Sequence, residues 1–355
     1  MKPGIKKFIL RSLLALSPVV AYVALYVALD PFRIIRPYNG ISIAPGDKME
    51  HIPNKRFVAI EGLKYYNPQY HYDSFIFGSS ISSNFTVQAW KRHLPPDACV
   101  YHFTAGANTL IGIRDELRYL IEHGIPVRHA LLIMEDEMFQ RKPRLNEMPY
   151  VPHPDVSQQV SWLHFHFVHF NAFRDPYMLL YNLMPWPWLG DKLIQDGKMA
   201  PIPSSRDEIH NEDSSWKLDS AISKNPREFY NKLPWLVDMK PWPNPMPPSI
   251  DRDNELILLE IAAMLNACHA SYKVIVPPRF RTQPMSPIDH AALCEIMGQE
   301  HVNDFSGDST LIHDLESYYD GIHIVTSRCT QMIDSCYSKP PFPQHRSTGV
   351  TPPQE

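Results

Sequence analysis

Three short apolar runs, each followed directly by small or polar residues, constrain the fold of this chain most. Helical patterns separate the runs, and the pattern at residues 109–123 repeats its apolar positions with the period of an α-helix. Continuous apolar runs of four to eight residues are typical of strands buried on both faces. The alternation therefore predicts an α/β domain, with three α/β/α layers around a mainly parallel sheet. The three runs occupy residues 73–77 (DSFIF), 99–103 (CVYHF) and 129–134 (HALLIM).

The same alternation returns in the last third of the chain. It predicts helices over about 251–270 and 288–297, a strand at 273–276, a short segment at 301–305 and a final helix that ends near Tyr337. Both halves together are long enough for one large domain with its own core. We expect that domain to span residues 72–338.

An insertion interrupts this domain at residues 141–250, where 16 of the 35 prolines and six of the seven tryptophans fall. Its Trp/Pro motifs at 185–188 (PWPW) and 241–248 (PWPNPMPP) suit either a groove for an apolar or sugar ligand or loops packed over the sheet. A histidine cluster suits either a metal site or an amphipathic surface, and it lacks cysteine or carboxylate support for a metal. The cluster consists of His164, His166 and His169.

The N-terminus carries a membrane-span pattern. The 18 residues from Ser12 to Leu29 contain no charge, which reaches the usual length for a transmembrane helix. Lys2, Lys6, Lys7 and Arg11 precede the run, so the positive-inside rule places the N-terminus in the cytoplasm. The pattern predicts a single-pass protein of the cell inner (cytoplasmic) membrane, with its domain facing the periplasm or exterior.

Around these parts the sequence predicts three smaller segments. Residues 1–30 form the cytoplasmic tip and anchor, and residues 31–71, rich in Pro and Gly with little periodicity, form a juxtamembrane connection. Residues 339–355 hold five prolines and no apolar period, so we expect a disordered tail.

Charge and cysteine usage exclude several functions. With 34 basic and 38 acidic residues and a net charge of -4, the chain lacks the basic field that nucleic-acid binding needs. The five cysteines are scattered and form no C-x-x-C pair, which argues against a zinc or redox site and against a disulfide framework. We expect no metal and no cofactor.

A nucleophile and a base stand at the ends of predicted elements. Ser80 lies at a strand-to-helix turn, where its hydroxyl is exposed and nearby backbone N–H groups favour negative charge. His323, before the last helix, is suited to take the serine proton, and Asp320 three residues earlier to hold the imidazole in the correct tautomer. These three residues are the candidate catalytic triad.

Further residues at the strand ends suit a supporting role. The backbone N–H groups of Ser80 and Gly106, with the amide of Asn108, are candidates for an oxyanion hole. Ser79, Glu135 and Asp136 are candidate supporting residues beside it. Each motif is weak alone, since a D-x-x-H arises by chance in a chain with 17 histidines.

The three blocks resemble the SGNH/GDSL hydrolase superfamily. FIFGSSISSNF is similar to its first block, with Ser80 in the nucleophile position, FTAGANT to its second, with Gly106, and YYDGIHI to its last, with Asp320 and His323. Within the superfamily the chain resembles the membrane-anchored branch, which includes the D-alanine transfer protein of teichoic acid synthesis and SGNH-type O-acyltransferases. The third block, G-x-N-D, is replaced by Met134-Glu135-Asp136.

The resemblance implies an SGNH-like fold and a serine-dependent acyltransferase or esterase. Ser80 would attack an acyl ester and form an acyl-enzyme. A membrane anchor favours an envelope glycan or glycolipid as the partner, and transfer to a sugar hydroxyl rests on the family analogy alone.

Two other hypotheses remain open. In the first, the chain is a catalytically silent SGNH-like accessory protein that binds polysaccharide or docks onto a membrane-embedded O-acyltransferase, which the replaced third block favours. In the second, the GSS and DGIH segments are only turns of an unrelated α/β membrane protein. That hypothesis requires Ser80 and His323 to lie more than about 10 Å apart, because a triad needs hydrogen-bond contact.

Overall fold

A computed structural model describes residues 3–40, 54–184, 186–199 and 203–338 of the chain. The tail at 339–355, for which the sequence predicts disorder, lies outside the described residues, as does part of the juxtamembrane connection. The strands are β1 (Ser74–Gly78), β2 (Val100–Thr104), β3 (His129–Ile133), β4 (Ser205–Asp207), β5 (Glu212–Ser214), β6 (Ser271–Val276) and β7 (Val302–Asp304).

Helices surround these strands, and two short 3-10 helices lie at Ser80–Asn84 and Leu315–Ser317. The α-helices are α1 (Pro3–Leu29), α2 (Lys55–Tyr70), α3 (Val87–Lys91), α4 (Leu110–Glu122), α5 (Asp136–Gln140), α6 (Trp162–Phe173), α7 (Pro176–Leu183), α8 (Pro187–Gln195), α9 (Trp216–Lys224), α10 (Pro226–Asn231), α11 (Pro234–Val237), α12 (Arg252–Ala267), α13 (Pro287–Met297), α14 (Ser309–Ile312) and α15 (Thr326–Tyr337).

The main sheet has five parallel strands in the order β2-β1-β3-β6-β7. The chain runs from β1 to β2 on one side and then crosses to β3 on the other, so the strand order reverses at β1. Such a reversal leaves a crevice beyond the carboxyl ends of the strands, which is where ligands bind in open α/β sheets. The prediction of an α/β fold with a mainly parallel sheet is confirmed.

Both faces of the sheet are covered, which is why its central strands carry continuous apolar runs. One face packs under α2, α4, α12 and α13 through residues such as Phe75 and Leu132. The opposite face, with Ile76 and Leu131, packs under α3 and α15. The domain thus has three layers, α/β/α, with alternate residues of each strand directed to the two cores.

The N-terminal helix α1 is long and apolar enough to cross a membrane: over Gly4–Leu29 its most apolar window has a mean hydropathy of 2.1 and is only 6% buried. Its last turns are an exception, because Tyr22, Leu25 and Tyr26 pack against α6 and α7. One candidate membrane span among the described residues agrees with the predicted anchor.

Within the predicted juxtamembrane connection at 31–71, where the sequence shows little periodicity, residues 55–70 form α2. Asn54 caps this helix by accepting hydrogen bonds from the N–H groups of Arg56 and Phe57. The side-chain amide of Asn54 also donates to the carbonyls of Met148 and Val151, at 2.9 and 2.8 Å. The first turns are buried on several sides, so their residues lack the single apolar stripe that reveals an amphipathic helix.

The insertion contributes helices α6 to α11 and a separate antiparallel pair, β4 and β5. The rings of its Trp/Pro motifs lie at the surface, since Trp186, Trp188 and Trp242 are each about half exposed. Phe165, Phe173 and Met178 form a third core with the end of α1 and with Phe32.

We predict that Leu132→Ala lowers the free energy of unfolding by about 2–5 kcal/mol, because it leaves a cavity in the sheet core where Leu132 is fully buried. Leu259→Ala on the exposed side of α12 is the matched control and should cost less than about 1 kcal/mol. Denaturant unfolding of the detergent-solubilised chain measures both. Equal losses of unfolding free energy in the two variants would contradict the burial of Leu132 in the sheet core.

Candidate functional site

The structure brings Ser80, His323 and Asp320 together beyond the carboxyl end of β1. The Nε2 atom of His323 lies 3.0 Å from the Ser80 Oγ, and its Nδ1 atom lies 2.8 Å from Oδ2 of Asp320. Residues 243 positions apart in sequence are thus in hydrogen-bond contact. This is the geometry of a nucleophile, a base and an orienting carboxylate. The separation is far below the 10 Å that the hypothesis of unrelated turns requires.

Ser80 is placed by the turn that ends β1. It is the first residue of the 3-10 helix Ser80–Asn84, and the hydroxyl of Ser79 caps that helix by accepting from the N–H of Ile81. The turn is so tight that a Cβ added to Gly78 would lie 2.5 Å from the Cβ of Ser82. Glycine is therefore required at residue 78 for this close approach.

The loop that carries His323 is held by its own aspartate. Oδ1 of Asp320 accepts hydrogen bonds from the N–H groups of Ile322 and His323, at 2.9 and 2.7 Å. Burial alone would raise the pKa of Asp320, but these hydrogen bonds and the imidazole of His323 outweigh it and lower the pKa. Asp320 is consequently a carboxylate at neutral pH, ready to orient His323.

Three polar residues that the sequence analysis did not assign to the site fix the histidine loop. The buried Asn84 donates from Nδ2 to the carbonyl of Ile324, at 2.9 Å, and so ties the serine helix to the residue after His323. From the insertion, Tyr230 donates to the carbonyl of Tyr318 and Asp219 accepts from the hydroxyls of Tyr319 and Thr326. Their sequence positions give no signal, because each contact joins distant segments.

Gly106 reaches the site through the sheet register. Gly78 pairs with Thr104 in the parallel ladder, so the loop that carries Gly106 leaves β2 level with the point where the loop of Ser80 leaves β1. A Cβ on Gly106 would lie 3.4 Å from the ring of Tyr150, which covers this loop. The role of the Gly106 N–H in an oxyanion hole stays a prediction.

For Asn108 the structure corrects the oxyanion-hole prediction. Its side chain is fully buried, and its Nδ2 group donates to the carbonyl of Gly78 at 3.3 Å and to Glu116 at 3.2 Å. Its backbone N–H donates to the carbonyl of Ala105. With its donors engaged, Asn108 ties the second block to the first instead of facing a substrate.

The predicted supporting residues lie at the end of β3 and have different surroundings. Glu135 is buried against Ser79 and pairs with Arg141. Burial raises the pKa of Glu135, and Arg141 and the Ser79 hydroxyl oppose that rise. Asp136 pairs with Arg279 at 3.3 Å.

A buried polar network holds the second sequence block, the segment with Gly106 and Asn108, in place. Arg56 of α2 donates to Oδ1 of Asn108 at 2.8 Å and to the carbonyl of Ala107 at 3.1 Å. Burial raises the pKa of Glu116 to about 8, against the opposing charge of Arg56 and the hydrogen bond from Asn108. Neither Arg56 nor Glu116 was predicted: Arg56 lies 52 residues from Asn108, and Glu116 meets it only once the turns of α4 have formed.

One group of potential metal ligands comes together within the described ranges: Glu61, His153 and Asp155. The ammonium of Lys64 lies 2.8 Å from Glu61 and 2.5 Å from Asp155, so a cation of the chain itself occupies that position. In the histidine cluster of α6, His169 donates from Nδ1 to the carbonyl of Phe165 and is buried.

We predict that Gly78→Ala destabilises the protein by about 1–3 kcal/mol, because the new methyl group collides with Ser82. Gly106→Ala, which meets only a ring edge, should be nearly neutral for stability. Adding Ser82→Gly to Gly78→Ala should recover part of the lost stability. Thermal unfolding of Gly78→Ala, Ser82→Gly, their double variant and Gly106→Ala measures the coupling between residues 78 and 82. Strict additivity of Gly78→Ala and Ser82→Gly would contradict the close approach.

We also predict that Glu116→Gln removes one component of the pH dependence of stability. The folded pKa of Glu116 is raised above its ordinary value of 4.5, so its contribution is complete below pH 4.5 and is lost as the pH rises through about 8. The difference in unfolding free energy between wild type and Glu116→Gln should therefore change between pH 5 and 8. The exposed Glu122→Gln is the control, and a constant difference for Glu116→Gln would count against the raised pKa.

A scan against models of protein families finds no match for this chain, and a search of curated proteins finds no significant match either. The resemblance to the SGNH/GDSL superfamily therefore depends on the three sequence blocks, and the α/β fold and the Ser80–His323–Asp320 geometry are findings of the structure itself.

Proposed function

We propose that this protein is a membrane-anchored, SGNH-like serine acyltransferase or esterase that acts on an ester of a cell-envelope glycan or glycolipid. The observation that carries the proposal is the continuous hydrogen-bonded chain from the Ser80 hydroxyl through His323 to Asp320. A serine with a base in contact and a carboxylate behind that base is the arrangement of covalent acyl transfer.

The proposed reaction has two halves. In the first, His323 Nε2 removes the proton of Ser80 as Oγ bonds to the acyl carbon, and the same proton then passes to the departing alcohol oxygen. In the second, an acceptor hydroxyl or water gives its proton to His323, attacks the acyl-enzyme and releases Ser80, which regains a proton. Asp320 holds Nδ1 throughout and stabilises the imidazolium that forms twice.

The developing oxyanion would be bound by backbone N–H groups of Ser80 and Gly106. Since the donors of Asn108 are engaged elsewhere and the third block lacks its asparagine, this hole has two donors rather than three. One missing donor costs about 10²–10³ in rate in a related type of site, so we expect a slow enzyme.

The proposed location follows from α1 and the charges around it. Lys6, Lys7 and Arg11 favour the cytoplasmic side for the N-terminus, which leaves the domain on the periplasmic or outer face of the cytoplasmic membrane. A glycan or glycolipid acceptor is proposed because an enzyme of diffusible metabolites gains nothing from an anchor. Transfer to a sugar hydroxyl is the analogy with the membrane-anchored branch.

A second candidate function has an observation of its own in favour. The engaged side chain of Asn108 and the replaced third block suit a silent SGNH-like accessory protein that binds polysaccharide or docks onto a membrane O-acyltransferase through its insertion. An accessory protein needs the fold and the surface but no reactive serine.

We predict that the full chain in detergent reacts covalently with a fluorophosphonate probe, which phosphonylates activated serines with loss of fluoride. Ser80→Ala and His323→Ala should abolish labelling, because they remove the nucleophile and its base. Ser83→Ala, in the same 3-10 helix, is the matched control and should keep labelling within a few-fold of wild type. Mass spectrometry of the labelled peptide identifies the modified residue.

Circular dichroism of each variant separates loss of reactivity from loss of fold. Labelling lost in Ser80→Ala and His323→Ala but kept in Ser83→Ala supports the enzyme. A folded wild type that does not react overturns it in favour of the accessory protein.

A further inference from the structure

The helical insert, defined here as residues 161–199 with α6, α7 and α8, exposes large apolar side chains outside α1. Leu163 is 82% exposed and Phe167 60%, and Leu183, Trp186 and Trp188 are each about half exposed. Nine large apolar side chains between residues 162 and 188 are exposed in this way, in one short stretch of the chain. A soluble surface rarely concentrates apolar side chains to this degree without a partner.

The helical insert is directly joined to the candidate membrane span. The Tyr22 hydroxyl donates to the carbonyl of Phe173 at 3.0 Å, and the ring of Tyr26 packs 5.3 Å from the rings of both Phe170 and Phe173. Tyr22 precedes the end of α1, at Leu29, by seven residues, which is about 10 Å along a helix. When α1 spans a bilayer, α6 therefore lies at the depth of the outer acyl-chain boundary.

The charge pattern of the helical insert suits that depth. Between Asp155 and Asp191 the only charged residues are Arg174 and Asp175. The three basic and three acidic residues of the helical insert balance, so apolar contact rather than a basic field would hold it at a lipid surface. Trp and Tyr are the residues enriched where a membrane meets water.

We propose that the helical insert lies in the outer interfacial layer of the bilayer that α1 crosses, with its exposed apolar side chains among the lipid acyl chains. Phospholipid is the partner, and a neutral headgroup suffices because the insert carries no net charge. Interfacial helices of this kind reach about 5–10 Å into the headgroup and acyl boundary, which matches the position of Tyr22. The proposal requires α1 in a membrane and is independent of any reactivity of Ser80.

The proposed position of the helical insert in the bilayer also determines which side of the candidate site lies nearest the membrane. Met148 and Val151 belong to the same core as Tyr26 and Phe32, and they flank Tyr150, the ring that covers Gly106. The side of the site at Tyr150 is thus continuous with the core that contains the end of α1.

Quenching of tryptophan fluorescence tests the proposal on the full chain in phosphatidylcholine vesicles. Phosphatidylcholine brominated on its acyl chains quenches only rings within the bilayer. We expect Trp186→Phe combined with Trp188→Phe to lower the quenched emission by at least half. Trp235→Phe combined with Trp242→Phe is the matched control, equally exposed but outside the helical insert, and should leave the quenched emission unchanged. Equal effects of the two pairs, or no quenching by bromolipid, would overturn the proposal.

A second measurement uses a spin label at Leu163→Cys, with Leu259→Cys on α12 as control, in a chain whose native cysteines are alanine. The label at residue 163 should collide several-fold more with oxygen, which concentrates in lipid, than with a water-soluble nickel chelate, and the label at 259 should show the reverse. Access of the chelate to residue 163 would place the insert in water and refute the proposal. Shielding of residue 163 from both reagents would show a second copy there instead, which also refutes it.

The tryptophan experiment keeps all native cysteines. It therefore decides the question if the cysteine-free chain does not fold.

Discussion

The parallel pairing of β1 with β2 on one side and β3 on the other is the constraint on which the site depends. Its register sets Gly78 level with Thr104 and Phe77 level with Leu132. The loops that leave β2 and β3 must therefore start within one strand spacing of the point where β1 ends. The backbone ladder, and not any side chain, brings the first two sequence blocks and the end of β3 to one place.

Side-chain hydrogen bonds then fix the positions of these loops relative to one another. Asn108 holds the second block against the carbonyl of Gly78, and Asn84 holds the histidine loop against the serine helix. Both amides are buried, so loss of either would leave a partner without its hydrogen bond in a region that water does not reach. Buried amides of this kind specify one arrangement of the loops, whereas apolar packing alone would tolerate several.

The sequence predicts β1, β2, β3 and β6 to within about two residues, because burial on both faces leaves a local apolar signature. For β7 it predicts only a short segment at residues 301–305. It also predicts Ser80, Asp320 and His323, since Ser80 follows a predicted strand and the other two precede the predicted last helix, each in a recognisable motif. It does not reveal α2, whose buried first turn mixes Arg56 with Phe57 and shows no clear period. Nor does it reveal that Asn108 has a structural role, because its partner Arg56 lies 52 residues away and Glu116, eight residues away, meets it only once α4 has formed.

The start of α2 has a mechanical consequence. Asn54 is bonded to the segment around Tyr150, Phe57 stacks on Phe165 of the helical insert, and Arg56 is bonded to the loop of Gly106. A domain on a flexible stalk would sweep a hemisphere whose radius is the length of the stalk. Here one helical turn contacts both the core that includes the end of α1 and the loop of Gly106, and these contacts restrict such a motion. With α1 in a bilayer, the proposed nucleophile Ser80 would be held at one height above the lipid, and the length of an acceptor would then become a criterion of selection for the proposed transferase.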